Sequence, residues 1–273
     1  MTVEIFAHRG SSAAHAEHTR AAYLQALDDG ADGVECDLHL TADGELVLLH
    51  DEDVRRTSNG AGPVAEMTLA RLRTLDFSSW HGTAIPPEFG TAANQLLTLP
   101  ELLDILAAAG RPVGLAIEFK YGAVFDPNLI DAALKVLRGR GWEPETSMAG
   151  AVTVSFMSFH PDAILRLAPL VTAQQLCQLL EIAGPQEHGR QRQRRQLVDD
   201  GVAHLAGPGV EYLRAPPGDA ARWLAAGRTL RVWTVDTAAD LGMCLAAGVT
   251  QLTTNRPRQL RAMLREGRPG GHA

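Results

Sequence analysis

Short apolar runs rich in β-branched residues alternate with longer stretches of helical period from one end of the chain to the other. That rhythm is the one expected of βα units around a parallel sheet. The runs predict strands near Val3 to His8, Gly33 to Leu40, Val113 to Phe119, Ala151 to Phe156, Thr172 to Leu179, Ala203 to Ala206, Leu230 to Val235 and Gln251 to Thr254. Eight strands close a parallel barrel, so the pattern predicts one α/β domain, a (β/α)8 TIM barrel, over residues 1–273.

Punctuation between the runs predicts the helices. Asp126-Pro127 opens an apolar-periodic stretch ending at Gly139, and Pro100 opens one that stops at Gly110. Ala220 to Ala226 precede Gly227, Ala238 to Ala247 precede Gly248, and each of these glycines is expected to supply a left-handed cap. Thr19 is placed to cap a helix running to Gly30. The span from about Asp51 to Leu97 breaks the rhythm, being too long for an ordinary strand-to-helix connection. It holds Thr57-Ser58-Asn59-Gly60, a short helical pattern around Leu69 to Leu75, and Pro86-Pro87; residues 51–97 are expected to be an insertion over the barrel mouth, not a second domain.

Composition narrows the class. The 273 residues are close to the ~250 typical of such a barrel, and 45% apolar content fits a globular enzyme. Cys36, Cys177 and Cys244 lack metal-ligand spacing and predict buried thiols in a reducing compartment. The start MTVEIFAHRG carries no signal-peptide pattern and no stretch is long and apolar enough to span a bilayer, so a cytoplasmic enzyme without stable membrane insertion is expected. A net charge of −7 argues against nucleic acid as a partner, and Arg190, Arg192, Arg194 and Arg195 are expected to form a solvated helix face. Among 25 basic residues only Lys120 and Lys135 are lysines.

That scarcity sharpens the candidate chemistry, which gathers at strand ends. The first strand closes on Ala7-His8-Arg9-Gly10, and barrel active sites form at C-terminal strand ends. In the second strand Glu35 and Asp37 are two apart and share a face. Two carboxylates together inside a barrel repel each other and are poorly solvated, so a cation is the natural compensation. The turn Thr41-Ala42-Asp43-Gly44 should fold the following strand back antiparallel; if Leu40 pairs with Glu45, His50 stands opposite Glu35. Glu118 and Lys120 share a face at the end of the third barrel strand. Three oxygen ligands without a Cys or His cluster suit one hard divalent ion, Mg2+ or Ca2+. Arg9 and Lys120 beside such an ion would hold a phosphate, and two histidines titrating near pH ~6.5 can supply an acid and a base.

In order along the chain, His8-Arg9-Gly10, Glu17-His18-Thr19, Glu35-x-Asp37, His50-Asp51, Arg56-Thr57, Glu118-x-Lys120, Ser155-Phe156, Trp233-Thr234-Val235 and Thr254-Asn255-Arg256-Pro257 resemble the signature of glycerophosphodiester phosphodiesterases. The resemblance implies metal-dependent hydrolysis of a small glycerophosphodiester to an alcohol and glycerol 3-phosphate. It implies that His8 and His50 are the general acid and base, and that Glu35, Asp37 and Glu118 hold the metal. Arg9 and Lys120 would grip the phosphate, and Trp233 would pack against the glycerol or alcohol group. The attacker is left open between water and the glycerol hydroxyl beside the phosphate. One departure stands out: His18 occupies the place of an amide in the family's Pro-Glu-Asn-Thr, which bears on the surroundings of the metal ligands. Two rival readings are hydrolysis of lysophospholipid diesters in the manner of a phospholipase D or C, and a catalytically silent barrel that binds phosphorylated ligands.

Overall fold

Along barrel strands such as Gly33–Leu40 and Val113–Phe119, polar or small side chains facing inward alternate with apolar ones facing the helices, and this alternation orients the site. The computed structural model describes residues 2–122, 124–182, 184, 187–215 and 218–266; residue 1 and residues 267–273, the ends of the expected domain, lie outside that set. The strands are β1 (Glu4–Ala7), β2 (Gly33–Leu40), β3 (Leu46–Leu48), β4 (Val113–Phe119), β5 (Met148–Ala149), β6 (Val152–Ser158), β7 (Leu176–Leu180), β8 (Leu205–Pro208), β9 (Thr229–Val232) and β10 (Gln251–Thr254). The helices are α1 (Arg20–Asp28), α2 (Leu69–Leu72), α3 (Leu99–Ala107), α4 (Pro127–Gly139), α5 (Pro161–Leu167), α6 (His188–Asp199), α7 (Val210–Arg214), α8 (Asp219–Ala225), α9 (Ala238–Ala246) and α10 (Pro257–Glu266).

Parallel pairing runs β1-β10-β9-β8-β7-β6-β4-β2 and returns from β2 to β1, so the sheet closes as a (β/α)8 barrel. β1 pairs with Gly33 and Val34 at the start of β2, and β3 takes over the same edge antiparallel at Leu38 to Leu40. The hairpin therefore continues above the rim of the barrel. Outward-facing Val34, Cys36, Leu38, Leu115 and Ile117 pack with the helices in one large core, and Val232, Leu252 and Leu260 belong to a second. Phe6, Ala116, Met157, Cys177, Leu179 and Leu205 form the apolar part of the barrel interior. Gly33 is required there: a Cβ on it would lie 2.4 Å from the ring of Phe6.

Most helix signals act as expected. The Thr19 hydroxyl accepts from Ala22 N, Asp126 accepts from Asn128 N, and Thr98 and Glu101 form a reciprocal capping box on α3. Three details differ. Gly139 is the last residue of α4, and the left-handed position belongs to Gly141 (φ 76°). Ala173–Gln175 wind into a 3-10 turn after Thr172, so β7 starts only at Leu176. Arg194 is not on a solvated face: it is 3% exposed, its Nε donating to Phe159 O while Gln191 donates to Glu181 O. These polar side chains point inward because the carbonyls where β6 and β7 run out need donors.

Candidate active site

The loop after β1 sets the first half of the site. Arg9 (φ 56°) and Gly10 (φ 82°) both adopt left-handed backbone, and a Cβ on residue 10 would meet the Ala22 carbonyl carbon at 2.6 Å, so only glycine permits the turn to lie against α1. The strained Arg9 backbone has a use. It aims its N–H at Glu35 Oε2 (3.0 Å), while the guanidinium reaches Glu17 Oε1 (3.0 Å) and Asp37 Oδ2 (3.1 Å).

Strands β2 and β4 supply the acids. Asp37 pairs in register with Glu118, and one oxygen from each of Glu35, Asp37 and Glu118 falls within a 4.8 Å cluster. All three are buried. Lys120 Nζ lies 2.6 Å from Glu118 Oε1 and 3.1 Å from Asp37 Oδ1. Burial pushes all three carboxyls upward, but Asp37 ends well below the usual range because Lys120, His18 and Arg9 surround it. Glu35 ends well above it, raised by burial and then by the charge of Asp37. Glu118 rises to about 7, burial outweighing Lys120.

Two half-buried cations thus face three buried carboxylates; Asp37 Oδ1 is met only by the Lys120 ammonium at 3.1 Å, and Glu35 Oε1 has no hydrogen-bond partner. Orphaned buried carboxylate oxygens are costly and call for compensation. An all-oxygen donor set of this size suits a hard divalent cation, so the residues fit one.

His18 accounts for part of this electrostatic arrangement. Held at φ 61° and 2% exposed, it places Nε2 2.8 Å from Asp37 Oδ2 and Nδ1 2.9 Å from the Tyr23 hydroxyl, which lies 3.1 Å from Glu35 O. An imidazole thus ties the acid-bearing strand to α1, a link longer than an amide at this position could make.

His50 arrives by a different register from the one expected. Leu40 pairs with Leu46, not Glu45, because Thr41 N donates to Glu45 O and lengthens the turn by one residue. Pairing ends at Leu48, and His50 leaves the ladder to line the same cavity as His8. Its Nδ1 is 2.6 Å from Asp51 Oδ1. Arg56 grips Asp51 through Nε (2.6 Å) and Glu17 through Nη1 and Nη2 (2.9 and 2.8 Å), so His50 and Arg9 are linked through Asp51, Arg56 and Glu17. Arg56 and burial act oppositely on Asp51, which drops to about 2. His8 Nδ1 instead meets the side-chain oxygen of Asn255 at 2.8 Å. Burial, then Arg9, lowers His8 to about 4; burial and Lys120 also lower His50. Both shifts favour the neutral imidazole before substrate arrives.

The cavity between them holds about 190 Å³. Arg9, Glu118 and Lys120 line it beside the histidines, and Leu179, Phe159 and Trp233 form an apolar wall opposite. Trp233 meets Phe159 edge to face at 5.5 Å and anchors its indole N–H on Gly207 O. Glu35 and Asp37 lie outside this lining, beneath it. Glu17, Asp51, Arg56, Phe159 and Asn255 also meet at the site; all but Phe159 lie in the motifs shared with the family, yet no local period tells that such residues come together.

A (β/α)8 barrel with buried acids, cations and paired histidines at its C-terminal face is an enzyme barrel in class. The chain belongs to the glycerophosphoryl diester phosphodiesterase family, whose family model matches residues 8–259. It is 36% identical over 275 residues to the probable glycerophosphodiester phosphodiesterase 1 of Mycobacterium tuberculosis, covering 98% of this chain and 94% of the relative. It is 30% identical over 255 residues to the glycerophosphodiester phosphodiesterase of Bacillus subtilis, covering 92% and 83%. Among solved structures, a phosphodiesterase of Oleispira antarctica in complex with the product sn-glycerol-3-phosphate superposes with a TM-score of 0.76 at 22% identity, covering 96% of each chain. A putative glycerophosphoryl diester phosphodiesterase of Agrobacterium tumefaciens gives 0.77 at 24% identity, covering 97% and 98%. These two likenesses establish the fold.

Proposed function

We propose that this enzyme hydrolyses glycerophosphodiesters to an alcohol and glycerol 3-phosphate, with His8 and His50 as the acid–base pair. The observation that carries the reading is the single cavity onto which two histidines, three cations (Arg9, Lys120 and Arg231) and one of three clustered carboxylates open. Arg9 and Lys120 bind the phosphate oxygens and hold the diester in place; Trp233, with Phe159, receives the glycerol or alcohol carbon chain. In each neutral imidazole the Nδ1 proton is held by an oxygen, Asn255 Oδ1 for His8 and Asp51 Oδ1 for His50, leaving Nε2 with its lone pair for proton transfer. One ring takes the proton of the attacking oxygen on Nε2; the other must first gain a proton on its own Nε2, which the negative charge of the bound diester favours, and it delivers that proton to the departing alcohol oxygen. Glu35, Asp37 and Glu118 would hold the divalent cation, Mg2+ or Ca2+, which when bound supplies charge neutralisation at the phosphoryl group. The segment 51–97, through Arg56, braces His50 and serves as the cover of the mouth.

The test is turnover of glycerophosphocholine and glycerophosphoethanolamine with Mg2+, with Ca2+ and with chelator. Cation-dependent release of glycerol phosphate is expected; release unaffected by chelator would refute the role of the three carboxylates. Turnover confined to lysophospholipids would move the substrate to lipid diesters. Among the described residues no helix is long and apolar enough to cross a membrane.

A further inference from the structure

Two motifs near the end of the chain, Trp233-Thr234-Val235 and Thr254-Asn255-Arg256-Pro257, are joined in space by a residue that belongs to neither. Asp236 follows the first. Its Oδ1 accepts from Thr254 Oγ1 (2.7 Å) and Asn255 N (2.8 Å), and its Oδ2 accepts from Asn255 Nδ2 (2.5 Å). An ionised carboxylate only accepts hydrogen bonds, so the Asn255 amide can face it only through nitrogen. The amide oxygen is thereby turned the other way, where His8 Nδ1 lies at 2.8 Å and Ser12 Oγ at 2.7 Å. Backbone contacts fix the frame: His8 N donates to Thr254 O, and Ala13 N to Asn255 O.

We propose that Asp236 is a positioning residue for catalysis: through Asn255 it holds His8 in the tautomer that carries its proton on Nδ1, with Nε2 free toward the substrate cavity. The inference rests on the acid–base reading of His8. Its physical basis is that a neutral imidazole has one donor and one acceptor nitrogen, and the partner of the first decides the second. With the Asn255 amide reversed, an N–H would face Nδ1, the proton would move to Nε2, and the cavity would lose its base. The two histidines are also held differently. His50 is backed by a carboxylate and His8 by a neutral amide, which fixes the ring's tautomer without a full negative charge drawing a second proton onto it.

The test uses the full chain with glycerophosphocholine and Mg2+. Asp236→Asn offers Asn255 an amide of its own and releases the constraint; kcat should fall roughly 10- to 100-fold with KM and Mg2+ affinity unchanged. The exchanged pair Asp236→Asn with Asn255→Asp restores an acceptor that cannot be reversed against His8. It should recover most of the lost kcat and, because a carboxylate now faces the ring, move the acid limb of the kcat profile upward by about one pH unit or more. Wild-type kcat in Asp236→Asn would overturn the proposal, as would an exchanged pair that folds and binds Mg2+ yet is no faster than the single variant. Should Asp236→Asn fail to fold, Asn255→Leu decides: lost kcat at constant KM supports the relay, and unchanged kcat refutes it. His8→Ala separates the two levels. Turnover that survives it removes the acid–base reading itself, whereas turnover lost there but intact in Asp236→Asn removes only the relay.

Discussion

The same strands line a cavity at each end of the barrel, and the two ends treat buried charge in opposite ways. The N-terminal cavity is the larger, about 700 Å³ against about 190 Å³. Its one buried charged lining residue is Arg231, which also borders the C-terminal cavity; it lies 4.3 Å over the Phe6 ring and donates to Gln251 Oε1 and Ser155 Oγ at 2.9 Å each. Gln251 passes the interaction on to Glu4 at the rim. That charge is answered by fixed dipoles and an aromatic face. At the C-terminal end the acids outnumber the cations, and Glu35 Oε1 stays without a donor. Functional demand shows in unmet electrostatics; cavity size does not report it.

The contrast is most sharply broken by Glu35→Gln. Turnover should drop on the order of 10³-fold or more, because transition-state charge loses its compensation. The melting temperature of the metal-free protein should barely move, since burial and Asp37 already disfavour ionised Glu35, while the rise caused by Mg2+ should vanish. A preserved Mg2+ response would show that Glu35 is no ligand.

His50→Ala follows, with an expected loss of roughly 10²- to 10⁴-fold in kcat at unchanged Mg2+ affinity by calorimetry. Near-normal turnover would dismiss its role in proton transfer.

A pH series reads the same contrast through stability. Glu118 titrates at about 7 in the folded protein against the ordinary 4.5, so the metal-free fold holds an extra proton between those values. Its contribution is complete below pH 4.5 and is lost as pH rises through about 7. Cation binding needs the ionised carboxylate and should strengthen over that same window. Melting curves from pH 5 to 8 should show the metal-free protein losing this contribution while the Mg2+-induced shift grows. A shift independent of pH would exclude Glu118 from the cation site.

Arg56→Ala should slow kcat about tenfold by freeing Asp51 and hence His50. The half-exposed ion pairs should cost no more than about 1 kcal/mol of stability in denaturant titration. A larger stability loss than rate loss would make Arg56 structural. At the other end, Gly33→Ala forces a methyl against Phe6 and should cost about 1–3 kcal/mol with kcat/KM nearly unchanged. A rate loss there would mean that the floor of the barrel is coupled to the mouth.

Much of this was legible along the chain. Alternation gave the eight barrel strands and put Glu35 with Asp37, and Glu118 with Lys120, on shared faces, because a side-chain period of two is local and does not depend on the neighbouring strands. Thr19 and Asp126 announced helix starts because a hydroxyl or carboxylate two or three residues ahead of an N–H is also a local relation. The route of His50 was not legible: one extra residue in a turn shifts a register, and only the hydrogen bond from Thr41 to Glu45 decides it. Arg194 looked like one more charge on a polar helix until strand-end carbonyls required donors.

The sequence by itself determined which residues could do chemistry and to which strand end each belonged, since both follow from residue type and short-range period. The tertiary structure decided which of them meet. Asn255 reaches His8 across 247 positions, Arg56 reaches Glu17 across 39, and His18 closes on Asp37 through a left-handed turn. The first contact exists only because closing the barrel brings its last strand beside its first, and the other two because the loop after β1 folds onto β2 and the segment after β3; no local pattern carries that information.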